Sequence, residues 1–174
     1  GKDSFSREEW DRLEILCYAE INHIFRDCEW GRHNRATLRA IALLLFGKLF
    51  PQNAAAETCL KLADMLFEDS LGNWSVEDAT SYLGLWLNSI AEYTQYRGVW
   101  NFRIEQILSY YCHYYTAMLL PSGGLPEFGD TRFDSGTSSC LSLGAMELMA
   151  KRHRDGVLKY AIERQFRNMI QNQT

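Results

Sequence analysis

His33, Asn34 and Arg35 stand together in the stretch "GRHNRATL", Glu77, Asp78 and Tyr82 in "NWSVEDATSYLGLW", and Glu127 and Asp130 in "GGLPEFGDTRF". A tyrosine among carboxylates can relay a proton, and an arginine fork beside an asparagine amide can hold a carboxylate in its plane. Each group also has a plainer reading. Asn34 suits a helix N-cap, Tyr82 suits a core aromatic, and Asp130 suits a capped turn. Asp78 and Tyr82 are four apart and so share one face at a helix start. Joint chemistry requires that the three segments, far apart in sequence, meet in space.

The elements that must bring them together read as helices. Ser6-Arg7-Glu8-Glu9 fits a capping box, after which Trp10, Leu13, Cys17, Ile21 and Ile24 recur at steps of three and four. "RATLRAIALLLFGKLF" is apolar nearly all round and ends just before Pro51; "AAAETCLKLADMLFED" is amphipathic, with Leu60, Ala63, Leu66 and Phe67 on one side. Further helices are predicted from about Asp78 to Tyr96, from Asn101 to Leu119, within "CLSLGAMELMAKRH" and through "GVLKYAIERQFRNMI". Strand patterns are hard to find. The short joints predict antiparallel neighbours, hence an all-α fold of helical hairpins across residues 1–174 as one domain.

Helices one, three and five look one-sided, whereas two, four and six look more apolar, as outer and inner layers would be. If consecutive helices run up and down, the inner helices all point the same way. Their N-terminal ends, with the joints "EWGRHN", "GNWSVED" and "GGLPEFGDT", then open onto one rim. An ordinary bundle with solvated turns is the competing arrangement.

Composition narrows the partners. With 174 residues and 47% hydrophobic content the chain can bury a real core, and a formal charge of −4 offers no basic field for nucleic acid. No apolar run has the roughly 20 residues that cross a bilayer, so no membrane partner is expected. Five scattered cysteines, Cys17, Cys28, Cys59, Cys112 and Cys140, lack CxxC spacing and read as structural thiols. His23, His33, His113 and His153 form no i, i+4 pair, so neither a metal nor any other cofactor is expected.

The segments "NWSVEDATSYLGLW", Tyr93, Gly98 and "LPSGGLPEFGDTRF", together with "GRHNRATLRAIALLLFGKLF", resemble the α/α-toroid region of heparinase II/III-like polysaccharide lyases. The resemblance implies an incomplete toroid, since the family's toroid is about twice as long and is followed by β-rich domains. It also implies β-elimination on a uronic-acid polysaccharide, with Tyr82 as acid and base and Asn34 at the carboxylate. Where the family has Asn-His, this chain has Asn34-Arg35, with His33 on the other side; Arg35 can neutralise a carboxylate but cannot act as a base. Asp78, Glu77, Asp130, Glu127 and Arg132 are expected to orient substrate, and Trp74 and Trp30 to stack on sugar rings, as can Phe128. A secreted or periplasmic setting is implied, although the opening "GKDSFSREEW" has no apolar signal segment. Two rival expectations remain. Asp78 with Asp130 can form the carboxylate pair of a glycoside hydrolase. Alternatively, the chain is a non-catalytic glycan- or protein-binding module, with an uncovered flank or the Tyr-rich "YYCHYYTAMLL" serving self-association or a companion domain.

Overall fold

The computed structural model describes residues 5–31, 33–72, 79–129 and 141–171. Among these the regular structure is all helical: α1 (Arg7–Arg26), α2 (Asn34–Leu49), α3 (Ala56–Ser70), α4 (Thr80–Arg97), α5 (Phe102–Ala117), α6 (Leu143–His153) and α7 (Gly156–Gln171). The capping box at α1 is complete. Ser6 Oγ accepts the Glu9 amide at 3.2 Å, and the Glu9 carboxylate accepts the Ser6 amide at 2.7 Å. Of the periodic face of α1, Ile21 is buried, while Trp10, Leu13, Cys17 and Ile24 pack half-buried against the core.

Cross-helix hydrogen bonds fix the directions. The Gly31 amide, just before α2, donates to Asp69 at the end of α3 at 2.6 Å, so these helices are antiparallel. Lys48 Nζ, at the end of α2, donates to the Tyr96 carbonyl at the end of α4, so α2 and α4 are parallel. Tyr115 Oη, near the end of α5, donates to the Thr80 carbonyl at the start of α4 at 2.6 Å. The start of α6 lies against the start of α4, since a Cβ on Gly84 would stand 3.3 Å from the Ser142 amide nitrogen. Arg152 at the end of α6 pairs with Glu105 in the first turn of α5, and Gln165 of α7 meets the Met146 sulfur of α6 at 3.5 Å. Helices α2, α4 and α6 therefore all begin at one end.

The two-layer expectation is met unevenly. Helix α2 is enclosed by α1, α3 and α4, and α4 by α2, α5 and α6, with α3 reaching it through side chains; both bury residues around most of their circumference. Helix α6 buries only Ala145, Met146 and Met149, because α4, α5 and α7 pack on one side of it and no described residue covers the other. The alternation of apolar content thus reports enclosure for α2 and α4 but not for α6.

Close approach of α2 to α3 depends on Gly47, where a Cβ would stand 2.7 Å from Leu60 Cγ and 2.9 Å from the Ala56 carbonyl oxygen. Alanine improves helix propensity but forces the helices apart. Gly47→Ala is expected to destabilise the fold by about 1–3 kcal/mol, read as a lower midpoint in urea.

A polar tie joins α3 to α4 on the side away from the rim. Asp64 accepts Tyr93 Oη at 2.7 Å and a bidentate pair from Arg97, Nε and Nη2, both at 2.9 Å. Burial pushes the Asp64 carboxyl up, but the bonds from Arg97 and Tyr93 outweigh it and hold it below the usual carboxylate range. A carboxyl lowered by folding adds stability above its unfolded pKa of about 3.9, and that stability disappears as pH falls through the folded value. Unfolding profiles between pH 6 and 2 should therefore fall less steeply below about pH 4 for Asp64→Asn than for the wild type.

Candidate functional site

The end at which α2, α4 and α6 begin carries the first polar joint, the described part of the third, and Gly72 and Ala79 on either side of the undescribed part of the second. In the first joint His33, not Asn34, caps α2: its Nδ1 accepts the Ala36 amide at 3.2 Å. Its Nε2 lies 3.2 Å from the Trp30 carbonyl, which assigns the ring proton to Nε2 as donor. Both ring nitrogens are thereby engaged, and neither is left for proton transfer. Asn34 becomes the first helical residue, 8% exposed, with its carbonyl accepting Thr37 Oγ1 at 2.8 Å.

Arg35 is largely exposed, and its Nε pairs with Glu29 at 3.0 Å. The same Glu29 oxygen lies 3.1 Å from Arg39 Nη1 as a second ion pair, and Arg39 Nη1 donates to the Asp27 carbonyl at 2.7 Å. Glu29 thus forms an ion pair with Arg35 at its Nε side without a hydrogen bond, while the terminal nitrogens of Arg35 meet no described residue. Trp30 is exposed at the same end.

The second joint is described only at Leu71, Gly72 and Ala79; Trp74, Glu77 and Asp78 lie outside the described residues, as do Asp130 and Arg132 of the third. What is described of the third joint caps α4. The Pro126 carbonyl accepts Thr80 Oγ1 at 2.8 Å, and the Phe128 carbonyl faces the Thr80 amide at 3.4 Å. Ala79 contributes no side-chain cap, so the loop satisfies donors that the helix start leaves open. Glu127 sits half-buried between those two carbonyls in the chain.

Three tyrosines near α4 separate by environment. Tyr115 is buried and donates to the Thr80 carbonyl, and burial pushes its hydroxyl far above the ordinary tyrosine range. Tyr93 is also buried, stacked on Phe67 at 4.0 Å; burial, and then the Asp64 carboxylate, push it up in the same direction. Both are fixed donors within the core. Tyr82, in the first turn of α4, is 37% exposed, and its hydroxyl bonds no described residue.

Register places Tyr82 level with Asn34. Lys48 touches Tyr96, Asn34 lies fourteen residues before Lys48, and Tyr82 lies fourteen before Tyr96 on the parallel neighbour. At 1.5 Å per residue both stand about 21 Å from that contact, hence at the same height within about a turn. The positive ends of the α2, α4 and α6 dipoles share this end, an arrangement that favours an anion.

Glu29, Arg39, Thr80 and Tyr115 shape this end without being singled out by sequence. Glu29 carries the one available signal, an acid six residues ahead of Arg35. Two clefts lie elsewhere. One of about 510 Å³ separates α6 from α7 near Ala150 and Ile162, and one of about 280 Å³ lies between α7 and Ser122. Comparison of the chain with protein-family models, with curated proteins and with solved structures gives no match.

Proposed function

We propose that this chain is part of an α/α toroid that binds a uronic-acid polysaccharide at the common end of α2, α4 and α6 and cleaves it by β-elimination. The observation that carries the reading is Tyr82: an accessible hydroxyl at a helix start that bonds no described residue, level with Asn34 on the adjacent parallel helix. The sequence resemblance to heparinase II/III-like lyases supports the same reading.

In this mechanism the uronate carboxylate lies against the Asn34 amide, the terminal nitrogens of Arg35 and the positive helix ends. Negative charge that develops on the carboxylate as the C5 proton leaves is stabilised there. The Tyr82 oxygen takes the C5 proton, the C5 electron pair forms the C4–C5 double bond, and the C4–O bond breaks. A proton from Tyr82 goes to the departing oxygen, so one residue relays the proton across one face of the sugar. His33 holds the start of α2 and takes no part in proton transfer.

The test is incubation of the protein with polygalacturonate, alginate and glycosaminoglycan uronans. Elimination gives ultraviolet absorbance from the new double bond together with new reducing ends. Reducing ends without absorbance would indicate hydrolysis, and neither signal on any uronan would remove the reading.

A further inference from the structure

The cleft of about 280 Å³ beside α7 is lined by donors. Ser122, Tyr160, Arg164 and Arg167 all face it, and the three on α7 belong to no motif noted in the sequence. Its walls are braced. Arg164 Nη1 donates to Tyr160 Oη at 3.1 Å, and Arg164 Nη2 donates to the Pro121 carbonyl, which fixes the guanidinium relative to the loop. Tyr160 Oη accepts that bond and keeps its own proton to donate. Ser122 Oγ likewise accepts the Gly124 amide at 3.3 Å and keeps its hydroxyl proton.

The loop can seat on α7 only because Gly123 has no side chain. Its φ is +91°, and a Cβ there would stand 2.6 Å from the Arg164 carbonyl oxygen. Arg167 is largely exposed, and the one described acid paired with it, Glu163, is 4.0 Å away, too far to occupy the guanidinium fully. Two guanidiniums and two hydroxyl donors in a small cleft match a planar oxoanion on a polyhydroxylated ligand. The same loop continues to Pro126 and Phe128, which cap α4, so Ser122 is at most about 17 Å of chain from Glu127.

We propose that this cleft is a second anionic-sugar site, taking a sugar-acid carboxylate of a chain whose reacting unit lies at Tyr82. The identity of the ligand rests on the function proposed above; the site itself rests on the cleft. Calorimetric titration with trigalacturonate is the test, with maltotriose and inorganic sulfate as comparators. Arg167→Ala should weaken trigalacturonate binding roughly tenfold, the loss expected for one charge-assisted contact. Lys159→Ala removes the same charge beside the other cleft and should change binding by less than about twofold. Maltotriose should bind neither variant nor the wild type.

Equal weakening by Arg167→Ala and Lys159→Ala would mean bulk charge alone and would overturn the proposal, as would sulfate binding as tightly as trigalacturonate. The two readings fail separately. Elimination activity with no Arg167 effect sinks only the second site, whereas a tenfold Arg167 effect with no elimination on any uronan sinks only the chemistry at Tyr82.

Discussion

Tyr82→Phe is expected to lower the rate of unsaturated-product formation by at least ~100-fold, the smallest usual contribution of a positioned acid or base. The hydroxyl is the only group removed. Since it lies at a partly exposed helix start and bonds no described residue, thermal unfolding should move by no more than about 0.5 kcal/mol. Tyr115→Phe provides the contrast, because its hydroxyl is bonded in the core to the Thr80 carbonyl. That variant should lose stability by about 1–3 kcal/mol while keeping an intact hydroxyl at Tyr82. A rate unchanged in Tyr82→Phe, measured by ultraviolet absorbance under saturating uronan, would eliminate the proposed relay.

Trp86→Ala is expected to have the largest effect on stability, about 3–5 kcal/mol, as for other buried tryptophans replaced by alanine. Trp86 is 1% exposed, meets Tyr111 edge-on at 5.7 Å, and donates its indole N–H to Ser70 Oγ at 2.9 Å. Alanine leaves a cavity in the layer between α3, α4 and α5, and it strands a buried serine hydroxyl at the end of α3. For a chain of this size the midpoint should fall by about 6–20 °C in a calorimetric scan. Trp86→Phe keeps most of the volume and should lose much less.

Helix positions were readable because each depends on local chemistry. The Ser6–Glu9 box, the Asn101 cap that accepts the Ile104 amide at 2.9 Å, and the left-handed Gly98 that closes α4 act within a few residues of chain. The common start of α2 and α4 followed from short connections, whereas the connection over 118–142 is long and the direction of α6 is set by its packing on the start of α4. What sequence could not give was the choice among competing partners for one group. Asn34 and His33 adjoin, and either can cap α2; the choice of His33 depends on the Trp30 carbonyl, which holds the ring's other nitrogen. The spacing of Glu29 and Arg35 did not single out their ion pair among other acids nearby, nor did Thr80 show that carbonyls 46 and 48 residues later would cap its helix. Apolar content overstated the enclosure of α6, because an apolar helix with one open side has the same composition as one that is covered.

If the proposed function holds, an acidic sugar occupies the end where Asn34 and Tyr82 stand level. Heteronuclear NMR of the protein titrated with unsaturated or reduced oligouronate, which does not turn over, measures this directly. The side-chain amide of Asn34 and the ring of Tyr82 should shift together and saturate with one affinity. Saturable shifts confined to the cleft between α6 and α7, with Asn34 and Tyr82 unmoved, would contradict it.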